Sequence, residues 1–261
     1  MNARTLTLGD TEVARIGLGT NRLTETRDNV EFIQEAVAAG VGLVDTAHLY
    51  TGGQSEATIG AALSSPPQGG VVATKGGFRP GEGRPEVLRR QIEESLRRLR
   101  TGTIELYYLH RVDPETPLEE SLGTIAEYRD AGKIRHVGLS EVTIEQIELA
   151  REIVPIVAVQ NRYNLSERRH DEVVDHCARE GLVFVPFFPL QGDDGPPLEE
   201  IAERRGATLA QIALAWLLRR SPAMLPIPGT LSLAHLQENL AALELELTED
   251  EYRALLDRRP S

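Results

Sequence analysis

The chain has 261 residues, of which 41% are hydrophobic and 26% are charged, and its formal net charge is −12. That composition is typical of a globular protein with a sizeable core, and the negative charge argues against nucleic acids and anionic membrane surfaces as main partners. No stretch approaches about 18 unbroken apolar residues, the length that a membrane span requires. The first ten residues lack the apolar stretch of a secretory signal, so a cytoplasmic location is expected.

The first element along the chain is predicted to be a short β-hairpin. Residues 5–8 and 11–13 flank the turn Gly9-Asp10, and such a pattern is typical of two antiparallel strands. A hairpin ahead of the first core strand is placed to plug the bottom of a barrel.

After the hairpin, apolar runs of strand length alternate with amphipathic segments of helical period. Gly40, Gly132 and Gly181 each follow a helical segment, where a left-handed residue is favoured, and Pro85 suits a first helical turn. The predicted strands are residues 14–19, 42–46, 71–75, 104–110, 134–139, 156–160, 182–187 and 224–227. Helices are predicted over residues 29–39, 85–100, 118–131, 168–180 and 249–257.

Eight strands alternating with helices predict an α/β fold, a (β/α)8 TIM barrel with a short N-terminal β-hairpin. Such barrels are usually about 250 residues long, in agreement with this chain. The first strand ends in Gly17-Leu18-Gly19 without the third glycine of a dinucleotide-binding turn, and no helix follows it directly, so an open Rossmann sheet is disfavoured. No linker or low-complexity tract divides the sequence, and residues 1–261 are expected to form one domain.

Polar side chains stand at the carboxyl ends of three successive strands, where such barrels carry their chemistry. The second strand ends near Asp45, the third ends in Lys75 and the fourth in His110, and Tyr50 lies on the loop after Asp45. Taken singly, an Asp–Lys pair is explained as a buried salt bridge and a histidine as a core residue. Lysine is seldom buried unless it is paired or functional, and the convergence of all four groups on one mouth favours a catalytic site.

These four groups suit proton donation to an oxyanion. A phenol with an ordinary pKa of about 10 is a poor proton donor at neutral pH, but a nearby ammonium stabilises the phenolate and makes the phenol a more efficient general acid. Asp45 would orient Lys75, and His110 would donate a hydrogen bond to the substrate carbonyl oxygen. No serine or cysteine is paired with a base and no three-ligand metal cluster is apparent, which disfavours acyl transfer and a metal site. Protonation after hydride attack fits best.

The same residues resemble those of a known family. Asp45 and Tyr50 in Asp-Thr-Ala-x-x-Tyr, Lys75 in Ala-Thr-Lys-Gly and His110 in Tyr-Leu-His resemble the catalytic tetrad of the aldo-keto reductases. The resemblance implies an oxidoreductase that reduces aldehyde or ketone carbonyls to alcohols with NAD(P)H and uses Tyr50 as general acid. It covers nearly the whole chain, through Ile16-Gly17-Leu18-Gly19-Thr20, Gly138-Leu139-Ser140, Gln160-Asn161-Arg162-Tyr163-Asn164, Pro226-Ile227-Pro228-Gly229-Thr230 and Glu238-Asn239.

The resemblance also implies a set of cofactor contacts. Ser140 and Gln160 would bind the nicotinamide carboxamide, and Tyr163 would stack on the nicotinamide ring. Thr20 and Asp45 would lie near the nicotinamide ribose. The adenosine end would be held by Gly229 and Thr230 at the phosphates, by His235 beside the 2′-phosphate, and by Glu238 and Asn239 at the adenine.

Three departures from the family pattern bear on the cofactor. Glu141 stands where an asparagine often follows the serine, and Phe188 replaces a serine hydroxyl that could contact the pyrophosphate. Residues 229–235 contain no Arg or Lys, the side chains that commonly pair with the 2′-phosphate of NADPH, and His235 is the remaining candidate. We therefore expect NADPH use with weakened discrimination against NADH.

Other interpretations of the sequence stay open. One is a nucleotide-sensing regulatory subunit of the same fold with little turnover, and another is a lyase or isomerase that forms a Schiff base on a Lys75 freed from Asp45. Arg111 is interpreted either as a surface ion-pairing residue or as the binding group for an acidic substrate. The arginine-rich stretch 89–100 is interleaved with glutamates, which is typical of a solvated helix face. The small carbonyl substrate and the oligomeric state are not readable from the sequence.

Overall fold

The computed structural model describes residues 3–63, 71–192 and 195–257, and its first element is the predicted hairpin. Strand β1 (Thr5–Leu8) pairs antiparallel with β2 (Thr11–Ala14). Leu8 and Val13 are fully buried and pack against the residues inside the barrel. The hairpin therefore closes the amino-terminal end of the barrel, as predicted.

Seven parallel strands follow in chain order, and each pairs with the next because a helix returns the chain between them. The strands are β3 (Leu18–Gly19), β4 (Leu43–Asp45), β5 (Val71–Gly76), β6 (Ile104–Leu109), β7 (Ile134–Ser140), β8 (Ile156–Gln160) and β9 (Val183–Phe184). The helices are α1 (Arg27–Ala38), α2 (Gln54–Ala62), α3 (Pro85–Leu99), α4 (Leu118–Asp130), α5 (Ile144–Arg151), α6 (Asp171–Glu180), α7 (Leu198–Arg205), α8 (Leu209–Arg220), α9 (Leu233–Ala241) and α10 (Glu249–Leu256).

The barrel closes through residues 224–227, which were predicted as the eighth strand but form no regular strand. The carbonyl oxygens of Pro226 and Pro228 accept hydrogen bonds from the N–H groups of Gly17 and Gly19 at 2.9 and 3.2 Å. Because proline has no N–H, Pro226 and Pro228 cannot donate to β3 in return, and a complete ladder with β3 does not form. On its other side the segment donates from the N–H groups of Leu225 and Ile227 to the carbonyls of Phe184 and Pro186 at 2.9 and 3.4 Å. It therefore holds the eighth position of the TIM barrel between β9 and β3.

Apolar side chains form two layers, one on each side of the sheet. The inner layer lies inside the barrel and includes Leu43, Val71, Leu106 and Leu225. The outer layer is larger and lies between the helices and the outside of the sheet. Trp216 belongs to this layer and is fully buried. Two rigid layers hold the strand ends in place, and the strand ends carry the site.

Local signals at the helix ends agree with the prediction. Pro85 is the first residue of α3, and Gly181 ends α6 in the left-handed conformation with a φ of +69°. Thr143 and Thr208 begin α5 and α8 as capping boxes, in which their hydroxyls accept from the backbone N–H three residues on. Within the described ranges, no helix combines the length and the apolar character needed to cross a membrane.

Candidate active site

The carboxyl ends of β4, β5 and β6 bring three predicted site residues together. Asp45 is the last residue of β4, Lys75 is the penultimate residue of β5 and His110 directly follows β6. Parallel strands of a barrel end at one mouth, so neighbouring strand ends lie side by side. The three residues are 2%, 0% and 4% exposed, respectively.

Tyr50 reaches the same place from the loop after β4. Residues 50–53 form a tight turn that leads directly into α2. Thr51 adopts a φ of +48°, which is unfavourable for a residue with a side chain, and its hydroxyl donates to the carbonyl of Leu23 at 2.6 Å. The turn leaves Tyr50 half-buried and facing a cleft at the barrel mouth.

Lys75 connects the carboxylate to the phenol. Its Nζ donates to Asp45 Oδ1 at 2.5 Å, to the carbonyl of Thr46 at 2.7 Å and to Tyr50 Oη at 3.5 Å. An ammonium has three hydrogens to donate, and all three are engaged. Burial opposes the charged form, but the Asp45 carboxylate and Tyr50 outweigh it and raise the pKa of Lys75. A Schiff base at Lys75 would need a free, neutral amine, so the lyase interpretation is disfavoured.

Besides Lys75, two residues that were predicted to bind the cofactor form hydrogen bonds to Asp45. Gln160 Nε2 donates to Asp45 Oδ2 at 2.7 Å, and Thr20 Oγ1 donates to the Asp45 carbonyl at 2.8 Å. Burial raises the pKa of Asp45, while Lys75 and Gln160 oppose that change. Hydrogen bonds on both carboxylate oxygens fix the orientation of the acid.

His110 is neutral in this environment. Burial, together with the positive charges of Lys75 and Arg111, lowers the pKa of His110 to about 2. Its ring stands edge-on to the Tyr50 ring, with 6.0 Å between the ring centroids. Nδ1 is buried with no hydrogen-bond partner within the described ranges. A neutral imidazole carries one N–H donor, so His110 can donate a hydrogen bond but is not a source of protons at neutral pH.

A cleft of about 420 Å³ opens beside Tyr50 and Asp45. Thr20, Phe187 and Gly229 contribute to its wall. It adjoins a second depression of about 690 Å³ that shares Gly229 with it. Together they form a groove that leads from the candidate catalytic residues Tyr50 and Asp45 to the segment before α9.

Tyr163, which was predicted to stack on the nicotinamide, lies elsewhere. It is fully buried, its hydroxyl donates to Asp171 at 2.6 Å, and its ring stacks on Trp216 with 6.1 Å between the ring centroids. The prediction is wrong because the chain leaves the barrel interior after Gln160 and directs Tyr163 into the outer core. Besides Tyr50, the aromatic residues that line the cleft are Phe187 and Phe188. The position of Phe187 at the end of the predicted seventh strand is the sequence signal that could have identified this place.

The residues predicted to hold the adenosine end lie around the start of α9. Ser232 caps this helix by accepting from the His235 N–H at 3.4 Å. His235 and Glu238 are exposed, whereas Asn239 is buried. Thr230 is also buried, and its hydroxyl accepts from the Ser232 N–H at 3.0 Å. The structure therefore presents His235 and Glu238 to solvent, whereas Asn239 and Thr230 are buried and the Thr230 hydroxyl stabilises the turn before α9.

The two departures near the mouth have structural roles. Glu141 has a φ of +54°, and its carboxylate accepts from the Arg162 N–H at 2.6 Å and pairs with Arg169 at 2.9 Å. It serves as a loop anchor. Phe188 has a φ of +51° and is 48% exposed, and it lines both parts of the groove.

A buried ion pair behind the Tyr50 loop was not predicted. Glu56 on α2 is fully buried and accepts from Thr74 Oγ1 at 2.6 Å and from Arg98 Nη1 at 3.2 Å. Arg98 also donates to the carbonyl of His48, two residues before Tyr50, at 3.0 Å. The predicted solvated helix face is therefore wrong for Arg98, whose guanidinium turns inward to hold the loop.

Comparison with known proteins agrees with this geometry. The sequence pattern of the aldo/keto reductase family matches residues 15–195 and 192–257. Pyridoxine 4-dehydrogenase of Escherichia coli (strain K12) is 37% identical over 275 residues, which cover 96% of each chain. A thermostable aldo-keto reductase solved with the inhibitor epalrestat superimposes with a TM-score of 0.88 at 35% identity, over 97% of this chain and 98% of that one. An aldo-keto reductase of Klebsiella pneumoniae solved with NADPH gives a TM-score of 0.86 at 28% identity, over 98% and 94%. The chain therefore belongs to the aldo/keto reductase family of oxidoreductases.

Proposed function

We propose that this protein reduces the carbonyl group of a small aldehyde or ketone to an alcohol, with Tyr50 as the general acid. The observation that carries the proposal is the chain of contacts from Asp45 through Lys75 to Tyr50 beside the cleft. An acid in contact with a fixed cation can lose its proton at low cost, because the resulting phenolate is stabilised where it forms.

NADPH is the proposed hydride donor, and residues in the groove, or buried at the strand ends beside it, suit each part of the cofactor. Ser140 Oγ accepts from Arg111 at 3.1 Å and keeps its own hydrogen to donate, beside Gln160, towards a carboxamide. Phe187 presents an apolar ring to the cleft. Gly229 has no side chain to block the path towards α9, whose N-terminus favours phosphate groups. When bound, the reduced nicotinamide supplies the hydride that attacks the carbonyl carbon.

At the adenosine end the exposed side chains of His235 and Glu238 are the proposed contacts, with Thr230 and Asn239 supporting them from buried positions. Because residues 229–235 provide no Arg or Lys, we propose that NADPH is preferred over NADH only moderately and that NADH also serves.

Each of the four side chains has its own role in proton transfer to the substrate oxygen. His110, held neutral by burial, donates a hydrogen bond to the carbonyl oxygen and fixes it beside Tyr50 Oη. Tyr50 gives its proton to the developing alkoxide. Lys75 stabilises the phenolate that remains, and Asp45 holds Lys75 in place. Tyr50 then regains a proton from solvent through the open cleft.

A coupled substrate and cofactor screen tests this proposal. The protein is incubated with aldehydes, ketones and dicarbonyls, and the consumption of NADPH or NADH is followed together with the alcohol formed. We expect alcohol in equal amount to the nucleotide consumed, and a higher kcat/KM with NADPH. Tight NADPH binding without any turnover would instead support the regulatory-subunit interpretation, and a clear preference for NADH would contradict the proposed cofactor ranking.

A further inference from the structure

Arg111 is held in a fixed orientation at the barrel mouth. Its guanidinium carbon lies 5.3 Å from the centroid of the Phe78 ring and 5.9 Å from that of the Phe187 ring. Phe187 lines the cleft, and the Phe78 ring lies 4.8 Å from the ring of His110, measured between centroids. Two rings at these distances restrict the position of a guanidinium through cation–π contacts. Arg111 therefore lies against Phe187, which lines the cleft, and against Phe78, which contacts the ring of His110.

Most of the donor capacity of this guanidinium is unused. Nη1 donates to the carbonyl of His110 at 2.6 Å and to Ser140 Oγ at 3.1 Å. Across residues 3–63, 71–192 and 195–257, Nε and Nη2 have no hydrogen-bond partner and Arg111 forms no ion pair. The interpretation of Arg111 as a surface ion-pairing residue therefore finds no partner in the described structure.

The surrounding charges leave Arg111 uncompensated. Glu141 and Tyr50 are the acidic groups whose charges act on Arg111, but the Glu141 carboxylate is already paired with Arg169 and with the backbone N–H of Arg162. Burial lowers the pKa of Arg111, which reflects the cost of holding this cation away from water without a counter-ion. An anionic ligand at this position would supply the missing counter-ion.

We propose that Arg111 binds a carboxylate of the substrate, so that the preferred substrates are aldehydes or ketones that carry a carboxylate near the carbonyl group. The proposal rests on the proposed reductase function and adds the substrate class. Two free donors in a planar fork match the two oxygens of one carboxylate, whereas a phosphate dianion would call for more than this single cation. The Phe78 and Phe187 rings suit an aromatic or aliphatic linker between the carboxylate and the carbonyl.

Two aldehydes of nearly the same shape test this assignment. 4-Carboxybenzaldehyde and 4-carbamoylbenzaldehyde differ in charge and little else, and kcat/KM is measured for both with NADPH. Arg111→Met keeps an apolar stem between the two rings and removes the charge. We expect the ratio of kcat/KM for the acid to kcat/KM for the amide to fall by about 10- to 100-fold in this variant, the loss typical of a hydrogen bond to a charged group, in addition to any loss that both aldehydes share.

Two further variants separate recognition from folding and from general electrostatics. Arg111→Lys keeps the charge without the planar fork and should recover part of the preference for the acid. Arg79→Met removes a positive charge from the loop next to Phe78, where Arg79 is exposed and pairs with Glu82, and should leave the acid-to-amide ratio unchanged. Equal losses on both aldehydes in Arg111→Met would overturn the proposal and indicate that Arg111 only supports the loop around His110.

Binding of benzoate provides a readout that does not depend on turnover. Calorimetry should show benzoate binding to the wild-type protein and weaker binding, by about tenfold or more, to Arg111→Met. If neither aldehyde is reduced but this difference in benzoate binding is found, the reductase function fails and the carboxylate site stands. If both aldehydes are reduced equally well and benzoate binds both proteins alike, the reductase function stands and the carboxylate site fails.

Discussion

At the scale of single residues, the charge of Lys75 is tolerated in a fully buried position because Asp45 lies 2.5 Å away. Removing one partner of a buried pair leaves the other charge uncompensated. We therefore expect Lys75→Met to lower the free energy of unfolding by about 3–5 kcal/mol, measured by urea denaturation, and to reduce kcat by about 100-fold or more because Tyr50 loses its activating cation.

The double variant Asp45→Asn with Lys75→Met separates the two effects. The double variant leaves no unpaired charge. Its free energy of unfolding should therefore be higher than that of Lys75→Met, whereas its kcat should remain as low. Activity near the wild-type level in either variant would contradict the role assigned to Lys75.

The neutral state of His110 predicts a pH-dependent stability. Its pKa of about 2 in the folded protein lies below the value of about 6.5 expected in an unfolded chain. Between these values the unfolded chain binds a proton that the folded protein does not. The contribution to stability is therefore complete above about pH 6.5 and is lost as the pH falls, by at most about 1.4 kcal/mol per pH unit. Urea titrations between about pH 7 and pH 5 should show a smaller loss for His110→Gln than for the wild-type protein. Parallel curves for the two proteins would rule this explanation out.

The residues that the sequence predicts well are those fixed by strand ends. Asp45, Lys75 and His110 are close because consecutive parallel strands must end together, which sequence order alone dictates. Tyr163 was misplaced because the inside–outside alternation stops where β8 ends, so residues beyond Gln160 cannot be assigned to a face from their spacing. Whether Arg111 has an ion-pair partner depends on which loops lie near it in the folded protein, and the residues around it in the sequence do not predict this.

At the scale of elements, the Arg98–Glu56 pair joins α3 to α2 and holds the loop that carries Tyr50. A Cβ on Gly53 would come within 2.4 Å of the Arg98 guanidinium, so the glycine is needed for this close approach. We expect Arg98→Met to lower the free energy of unfolding by about 2–3 kcal/mol and kcat by about tenfold, because the carbonyl of His48 loses its donor and Tyr50 shifts.

The neighbouring Arg97→Met is the matched control, because Arg97 is exposed on the same helix and its loss should change stability by no more than about 0.5 kcal/mol. If Arg98→Met lost stability with kcat unchanged, the pair would be structural and would not position Tyr50. The helical period predicts α3 correctly, but an arginine at the edge of a polar face extends either outward or inward, and only the buried Glu56 decides which.

At the scale of the whole molecule, the alternation of strands and helices is enough to predict the barrel and the hairpin that plugs it. The eighth strand is the exception. Residues 224–227 have the apolar character of a strand, but Pro226 interrupts the donors that a ladder needs. We propose that residues 1–261 fold as one domain, because the same inner core includes the hairpin, the sheet and this closing segment.

Arg15 joins the distant parts that meet at the base of the barrel. It is 1% exposed, and its guanidinium donates to the carbonyls of Ala3, Leu218, Ser221 and Met224 at 2.6–3.2 Å. We expect Arg15→Met to lower the free energy of unfolding by about 2–4 kcal/mol in a single cooperative transition, measured by urea denaturation.

Because Arg15 lies at the opposite end of the barrel from Tyr50, KM and kcat of the folded variant should stay at the wild-type values. The exposed Arg4, which pairs with Glu244, is the control, and Arg4→Met should cost no more than about 1 kcal/mol. A second unfolding transition in Arg15→Met would contradict the proposal of one domain.

The role of Tyr50 as proton donor is measured by kcat/KM of Tyr50→Phe on the best carbonyl substrate with saturating NADPH. Tyr128→Phe is the matched control, since Tyr128 lies on α4, where its hydroxyl donates to the carbonyl of Arg89 at 3.4 Å. We expect kcat/KM to fall by about 100- to 10,000-fold in Tyr50→Phe, the range of general acid catalysis, with NADPH affinity retained and Tyr128→Phe unaffected. A Tyr50→Phe protein that reduces the substrate at the wild-type rate would contradict the proposed role of Tyr50 as proton donor.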